Sequence, residues 1–238
     1  MKLNRSRGCG LTRQVRLLLG LVAPVTLVCL LSVPQRCAGA DEAAAWQTRR
    51  AQFDYDKSQA LNATSELVAE GGRIVEERIE FDSPLGGRVA GAMVRPREGG
   101  KPRVLLLLHG FGGSKQDAMM VGVVLAGKGW ATLGLDAAGH GDRKMPKEAF
   151  LDPDTGAAQK AMIQTVVDYR RALDYLETRE DLDSQGVGLI GASMGAMMGT
   201  LLAAVDDRIS AALLIVGGGA WEKMVEASDH PVAVRFRE

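Results

Sequence analysis

Four stretches of the chain are apolar at almost every position: 104–108, 130–135, 187–190 and 209–216. A strand that is apolar on both faces must be covered on both, so these runs predict interior strands of a parallel sheet. Between them the spacing becomes helical. Residues 115–128 form one such segment, and 156–179 a longer one with Met162, Val166, Tyr169, Leu173 and Leu176 along one face. Residues 194–205 are apolar nearly all round, as expected of a helix pressed against a sheet. Upstream, residues 73–81 alternate, with Ile74, Glu76, Arg78 and Glu80 interleaved with other residues up to Phe81. Gly86 and Gly87 then turn the chain into 89–94. That pattern predicts an antiparallel hairpin with one wet face. Residues 96–102 read as a linker turn. Residues 41–72 read as a helical lead-in, with one piece around Ala43 to Trp46 and another over 61–69. The sum is an α/β fold: a mostly parallel sheet with helices on both faces and an N-terminal antiparallel hairpin.

Residues 1–40 stand apart from this pattern. Lys2, Arg5, Arg7, Arg13 and Arg16 precede an uncharged run over 17–33, and Ala38-Gly39-Ala40 offers a small-residue cleavage site. This is the layout of an export signal cut after Ala40. It predicts a periplasmic or extracellular protein. An uncleaved membrane anchor is the alternative, at the lower limit of length and with Pro24 inside it. Cys9, Cys29 and Cys37 all fall in this segment, so the mature chain has no thiol for a disulfide, a nucleophile or a metal.

The overall balance of 29 basic and 29 acidic residues hides an asymmetry. The first forty residues hold six basic and no acidic side chains. That leaves 23 basic against 29 acidic, a net charge of −6. A mildly acidic surface speaks against nucleic acid as a partner.

Three of the predicted strands end in glycine-rich loops. They are His109-Gly110-Phe111-Gly112-Gly113, Asp136-Ala137-Ala138-Gly139-His140-Gly141-Asp142, and Gly191-Ala192-Ser193-Met194-Gly195. In an open α/β sheet, loops that leave strand carboxyl ends share one edge, where ligands bind. With 29 glycines and ten serines in 238 residues, a chance G-x-S-x-G has odds of roughly 0.15. The apolar strand before it and the apolar helix after it raise its weight. That context puts Ser193 on a sharp strand-to-helix turn with its hydroxyl exposed.

With HG-F-GG, D-x-x-GHG and G-x-S-x-G in this order, the chain resembles the α/β-hydrolase superfamily over about 73–219. Within it, the chain is similar to exported bacterial esterases of the dienelactone-hydrolase and acetyl-esterase type. The resemblance implies that Ser193 is the nucleophile of an acyl transfer to and from small-molecule esters. It implies that the backbone N–H groups of Phe111 and Met194 hold the oxyanion. His109 takes the position that shapes the oxyanion loop, His140 that of a structural loop histidine, and Asp136 and Asp142 those of turn residues. Asp142 and Arg143 read as a surface ion pair. Dienelactone hydrolase uses cysteine where this chain has Ser193, which moves the reading toward a serine esterase.

The superfamily order is serine, acid, then histidine. His230 is the sole histidine after Ser193 and the candidate base, with Asp229 or Glu222 as weaker candidates for the acid. Each further strand with its crossover needs about 30 residues, so the fold is expected to be truncated after its sixth strand, the run at 209–216. No cofactor is expected. No metal site is expected either, since nothing near His109 and His140 has ligand spacing. Two other readings stay open: a peptidase related to prolyl oligopeptidases, and a non-catalytic hydrolase-like protein.

Overall fold

The structure, a computed structural model, describes residues 40–146, 156–218, 221–229 and 233–234. The elements in chain order are α1 (Ala40–Arg50), β1 (Thr64–Gly71), β2 (Ile74–Asp82), β3 (Arg88–Pro96), β4 (Arg103–Leu108), α2 (Lys115–Ala126), β5 (Trp130–Leu135), α3 (Ala157–Glu177), β6 (Asp183–Ala192), α4 (Met194–Val205), β7 (Ile209–Ile215) and α5 (Trp221–Ala227). Among the described residues the strands form one sheet in the order β1-β2-β3-β5-β4-β6-β7. The first three strands and the β3–β5 pair are antiparallel, while β5, β4, β6 and β7 run parallel. The predicted hairpin is β2 and β3, and the four apolar runs are the four parallel strands.

The lead-in differs from its expectation. α1 is helical, but the expected helix over 61–69 is replaced by β1. All eight β1 residues are exposed, so the strand has no buried face to print a period on the sequence. Its stability comes from the ladder to β2, with a bulge between Leu67 and Ala69, and from the Ser65 hydroxyl bonded to Glu77 at 2.6 Å. With β1 included, Ile209–Ile215 is the seventh strand rather than the sixth.

Chain order explains where the loops meet. The connection from β4 steps through α2 to β5 on one side. The connection from β5 steps back across β4 through α3 to β6 on the other. Right-handed crossovers in opposite directions place their helices on opposite faces. Accordingly α2 packs on β3 and β5, whereas α3 and α4 pack together over β6 and its neighbours. The strand order reverses at β4, and its carboxyl end opens into the crevice where such sheets bind ligands.

The core between these layers is mainly apolar. Ile79, Phe81, Met93, Leu106, Leu133, Leu135, Leu173, Leu176, Leu189 and Met198 are all fully buried. The α3 face read from the sequence is the buried one: Val166, Tyr169, Leu173 and Leu176 are inside, and Met162 is half-buried against them. Tyr169 also has a polar task there. The β4–β5 ladder ends at Leu107 and Gly134. Just beyond that pair the Tyr169 hydroxyl donates to the Leu107 carbonyl at 2.7 Å and accepts the Leu135 N–H at 3.1 Å. Burial pushes this phenol well above its usual pKa, so it stays a donor. Replacing Tyr169 by phenylalanine strands both backbone groups in the core. The expected loss is about 1–3 kcal/mol of unfolding free energy, measured from the denaturant midpoint.

Candidate active site

β6 ends at Ala192 and α4 begins at Met194, so the entire turn is one residue, Ser193. Its φ of 51° and ψ of −118° lie where side chains are strained. The backbone around it holds that geometry. The Ser193 N–H donates to the Ile215 carbonyl of β7 at 2.9 Å, and its own carbonyl accepts the Ala196 and Met197 N–H groups at 2.9 and 3.2 Å. Its side chain is exposed and makes no capping bond to α4.

The two flanking glycines have a steric cause. A methyl group on Gly191 would come within 2.4 Å of the Gly195 carbonyl oxygen. One on Gly195 would come within 2.1 Å of the Leu108 carbonyl oxygen. These are collisions with main chain, which cannot swing aside. G-x-S-x-G is therefore the only way this strand, this helix and β4 can pack so closely around the serine.

The loop after β4 faces this turn. A methyl group placed on Gly110 would lie 3.6 Å from the Ser193 Cβ and equally far from the Ala192 carbonyl oxygen. Residues 110 to 113 form a tight turn closed by the Gly113 N–H on the Gly110 carbonyl at 3.0 Å, with Gly112 at φ 78°. Positive φ at the third position marks a type II turn, whose own bond does not use the N–H of the second residue, Phe111. On the other side of the serine, Met194 carries the first N–H of α4, which no intrahelical carbonyl can accept. The positive end of the helix dipole points the same way.

His109 is held by both of its ring nitrogens. Its Nε2 accepts the Ala137 N–H at 3.1 Å, so the proton is on Nδ1, which donates to the Gly110 carbonyl at 2.8 Å. Burial lowers its pKa below the ordinary value, which keeps the ring neutral. His140 is buried with its Nδ1 3.2 Å from the Ala138 carbonyl oxygen. Its ring stands 5.4 Å from that of His109 and edge-on to Phe111 at 5.3 Å. Among the described residues no three His, Cys, Asp or Glu side chains gather as metal ligands.

Asp136, read as a turn residue, proves to be fully buried and central. It accepts the Lys115 N–H at 2.8 Å, the Lys115 ammonium at 2.7 Å and the Asp142 N–H at 2.9 Å. The expected Asp142–Arg143 ion pair is not formed. Asp142 pairs with Lys115 and Arg143 with buried Asp168, each at 2.7 Å, because the short 3-10 turn at Gly141–Arg143 sends the two side chains different ways. Beyond this loop, a cleft of about 250 Å³ is lined by Ala138, Gly139, Arg143, Met145, Lys160 and Gln164, among others. Ser193 is not part of its lining.

Of the sequence-predicted site residues, Ser193, Met194 and the Gly110–Phe111 peptide are thus brought to one place. His230 lies outside the described residues. Glu222 lies in α5, and Asp229 follows that helix. Lys115 was missed, and its only signal in the sequence is a position just after a serine that caps α2.

Known proteins share this fold. Over 86 residues the chain is 36% identical to YtaP of Bacillus subtilis (strain 168), which is named as a hydrolase; the match covers 36% of this chain and 29% of that relative. The fold matches an acetyl xylan esterase from Paenibacillus sp. R4, with a TM-score of 0.66 at 23% identity over 86% of this chain and 68% of that one. It also matches a cold-adapted esterase from an Arctic intertidal metagenomic library, with a TM-score of 0.53 at 29% identity over 65% of this chain and 64% of that one. The family model for the alpha/beta hydrolase fold aligns with residues 103–236, more than half of the chain and the part that carries all three glycine-rich loops. A match over that span shows that the chain belongs to the alpha/beta hydrolase fold family.

Proposed function

We propose that this protein is a serine hydrolase that cleaves small carboxylic esters through an acyl-enzyme on Ser193. The observation that carries the reading is the exposed Ser193 at φ 51°, with the Gly110–Phe111 peptide packed beside it. The Ser193 Oγ attacks the ester carbonyl and its proton passes to a base. The Phe111 and Met194 N–H groups stabilise the oxyanion; one such donor is typically worth about 3 kcal/mol of barrier. The tetrahedral adduct collapses, the C–O bond to the alcohol breaks, and the base returns the proton to the departing oxygen. Water then repeats the sequence on the acyl-serine and releases the acid.

His230 is assigned as the base. His109 is excluded from that role because its Nε2 is committed to the Ala137 N–H. The chemistry asks for no cofactor. The similarity to esterases supports an ester substrate, and the export pattern in residues 1–40 suits a periplasmic or extracellular one. Among the described residues no helix is long and apolar enough to cross a membrane.

The test is covalent. A fluorophosphonate probe incubated with the full chain is expected to modify the tryptic peptide that contains Ser193, in competition with p-nitrophenyl acetate. An unmodified Ser193 in a folded preparation would overturn the proposal.

A further inference from the structure

Lys115 is a buried cation with no place in the acyl-transfer chemistry. Its side chain is 7% exposed, yet it lies between two carboxylates, Asp136 inside and Asp142 outside, at 2.7 Å from each. Isolating a charge in this way is costly, and one buried pair is weak evidence of stabilisation. The cluster is nonetheless built tightly. A methyl group on Gly141 would fall 2.1 Å from the Asp136 carboxylate, so residue 141 must be glycine for the loop to wrap the acid. Burial works against the Lys115 ammonium, but its bonds to the two carboxylates raise its pKa above the lysine norm. The same bonds hold the Asp142 carboxyl below the usual carboxylate range.

What the cluster fastens is more specific than the fold as a whole. Lys115 is the first residue of α2 and is separated from Leu108, the last of β4, by only the six residues 109 to 114. That link contains the Phe111 turn. One end is tied to the loop after β5 through His109 and Ala137. The other end is tied to Asp136, where β5 ends, by both the backbone N–H and the ammonium of Lys115. The Asp136 N–H in turn donates to the Ala90 carbonyl of β3 at 2.8 Å, which fixes the acid to the sheet. The position of the turn relative to Ser193 is therefore set by two clamps, and Lys115 is the one that grips where α2 begins.

We infer that Lys115 is a positioning residue for the acyl-transfer site: through Asp136 and Asp142 it holds the Phe111 turn at the distance from Ser193 that an oxyanion requires. This rests on the serine hydrolase reading above. A displacement of the donor by about 1 Å costs up to about 100-fold in rate.

The experiment measures fluorophosphonate modification of the full chain over time. Its amplitude reports the competent fraction, and its rate constant reports the geometry of each competent site. Lys115→Met is expected to lower the rate constant about 10- to 100-fold while keeping most of the amplitude, and Lys115→Arg to recover part of the loss. Should Lys115→Met fail to fold, Asp142→Asn answers the same question. Asp142 is exposed, and its amide form loosens the lysine head without emptying the core, so the rate constant falls a few-fold. The exposed Lys128→Met serves as the surface-charge control and keeps the wild-type rate constant. Wild-type rate constants in every Lys115 and Asp142 variant that keeps its amplitude would overturn the inference alone. Failure to modify Ser193 in the wild-type chain would overturn the hydrolase reading and this inference together.

Discussion

Ser193→Gly is expected to abolish ester turnover and, at the same time, to make the protein more stable. The loss of turnover is on the order of 10⁴-fold or more, since removing a nucleophile leaves only binding and oxyanion stabilisation. The gain in stability comes from the backbone. A serine held at φ 51° and ψ −118° carries strain of about 1–3 kcal/mol. Glycine adopts that conformation freely, at the expense of a more flexible unfolded chain worth about 0.5–1 kcal/mol. The balance favours the glycine variant. Ser193→Ala separates the two effects: it loses the hydroxyl but keeps a Cβ, so it keeps the strain. Alanine should match the wild type in thermal midpoint while glycine exceeds it, and both should be inactive towards p-nitrophenyl acetate. A glycine variant less stable than the alanine variant would show that Ser193 is not held under strain. The strain would then have no part in presenting the hydroxyl.

The same turn shows why some of the molecule could be read without coordinates. The elbow leaves its mark beside the serine, whatever the source of the crowding. A side chain on Gly191 would strike the main chain of Gly195 and Ala196, and one on Gly195 the main chain of Leu108 and His109; both glycines stand two residues from the serine, so the pattern shows in the local sequence. The parallel strands were legible for a similar reason, because burial on both faces removes polar residues from the run itself. β1 was not legible, since a strand exposed at every position leaves no period to find. Lys115 was not legible because its environment is made by Asp136 and Asp142, 21 and 27 residues away. Asp142 and Arg143 looked like partners because they are neighbours in the chain. The fold instead carries Arg143 to Asp168, 25 residues further on. Side chains whose partners lie across the sheet edge are where the sequence pattern stops being informative.

His109 offers the sharper test of how the proposed oxyanion donor, the Phe111 N–H, is aimed. A peptide unit is planar, and its C=O and N–H point in opposite directions. The Gly110 carbonyl is gripped by two donors, His109 Nδ1 at 2.8 Å and the Gly113 N–H at 3.0 Å. Fixing the carbonyl on that side fixes the Phe111 N–H on the other. The tautomer that allows this is dictated by the Ala137 N–H on Nε2. Two substitutions divide the ring's two tasks. Asparagine places an amide N–H near the Nδ1 position, so His109→Asn should keep the fluorophosphonate rate constant within a few-fold of wild type. Glutamine places a carbonyl oxygen near the Nε2 position, so His109→Gln should satisfy Ala137 and preserve stability. Its rate constant should nevertheless fall about 10- to 100-fold, as one oxyanion donor turns away. Acidity adds a third readout. Burial lowers the His109 pKa below 6.5 in the folded protein, so between that lowered value and 6.5 the unfolded chain binds more protons. The stability held by this group is complete above pH 6.5 and is lost as the pH falls through that window. His109→Asn should flatten this part of the thermal-midpoint profile between pH 7.5 and 5. Equal rate constants for the asparagine and glutamine variants would show that the Gly110 carbonyl is not what aims the donor.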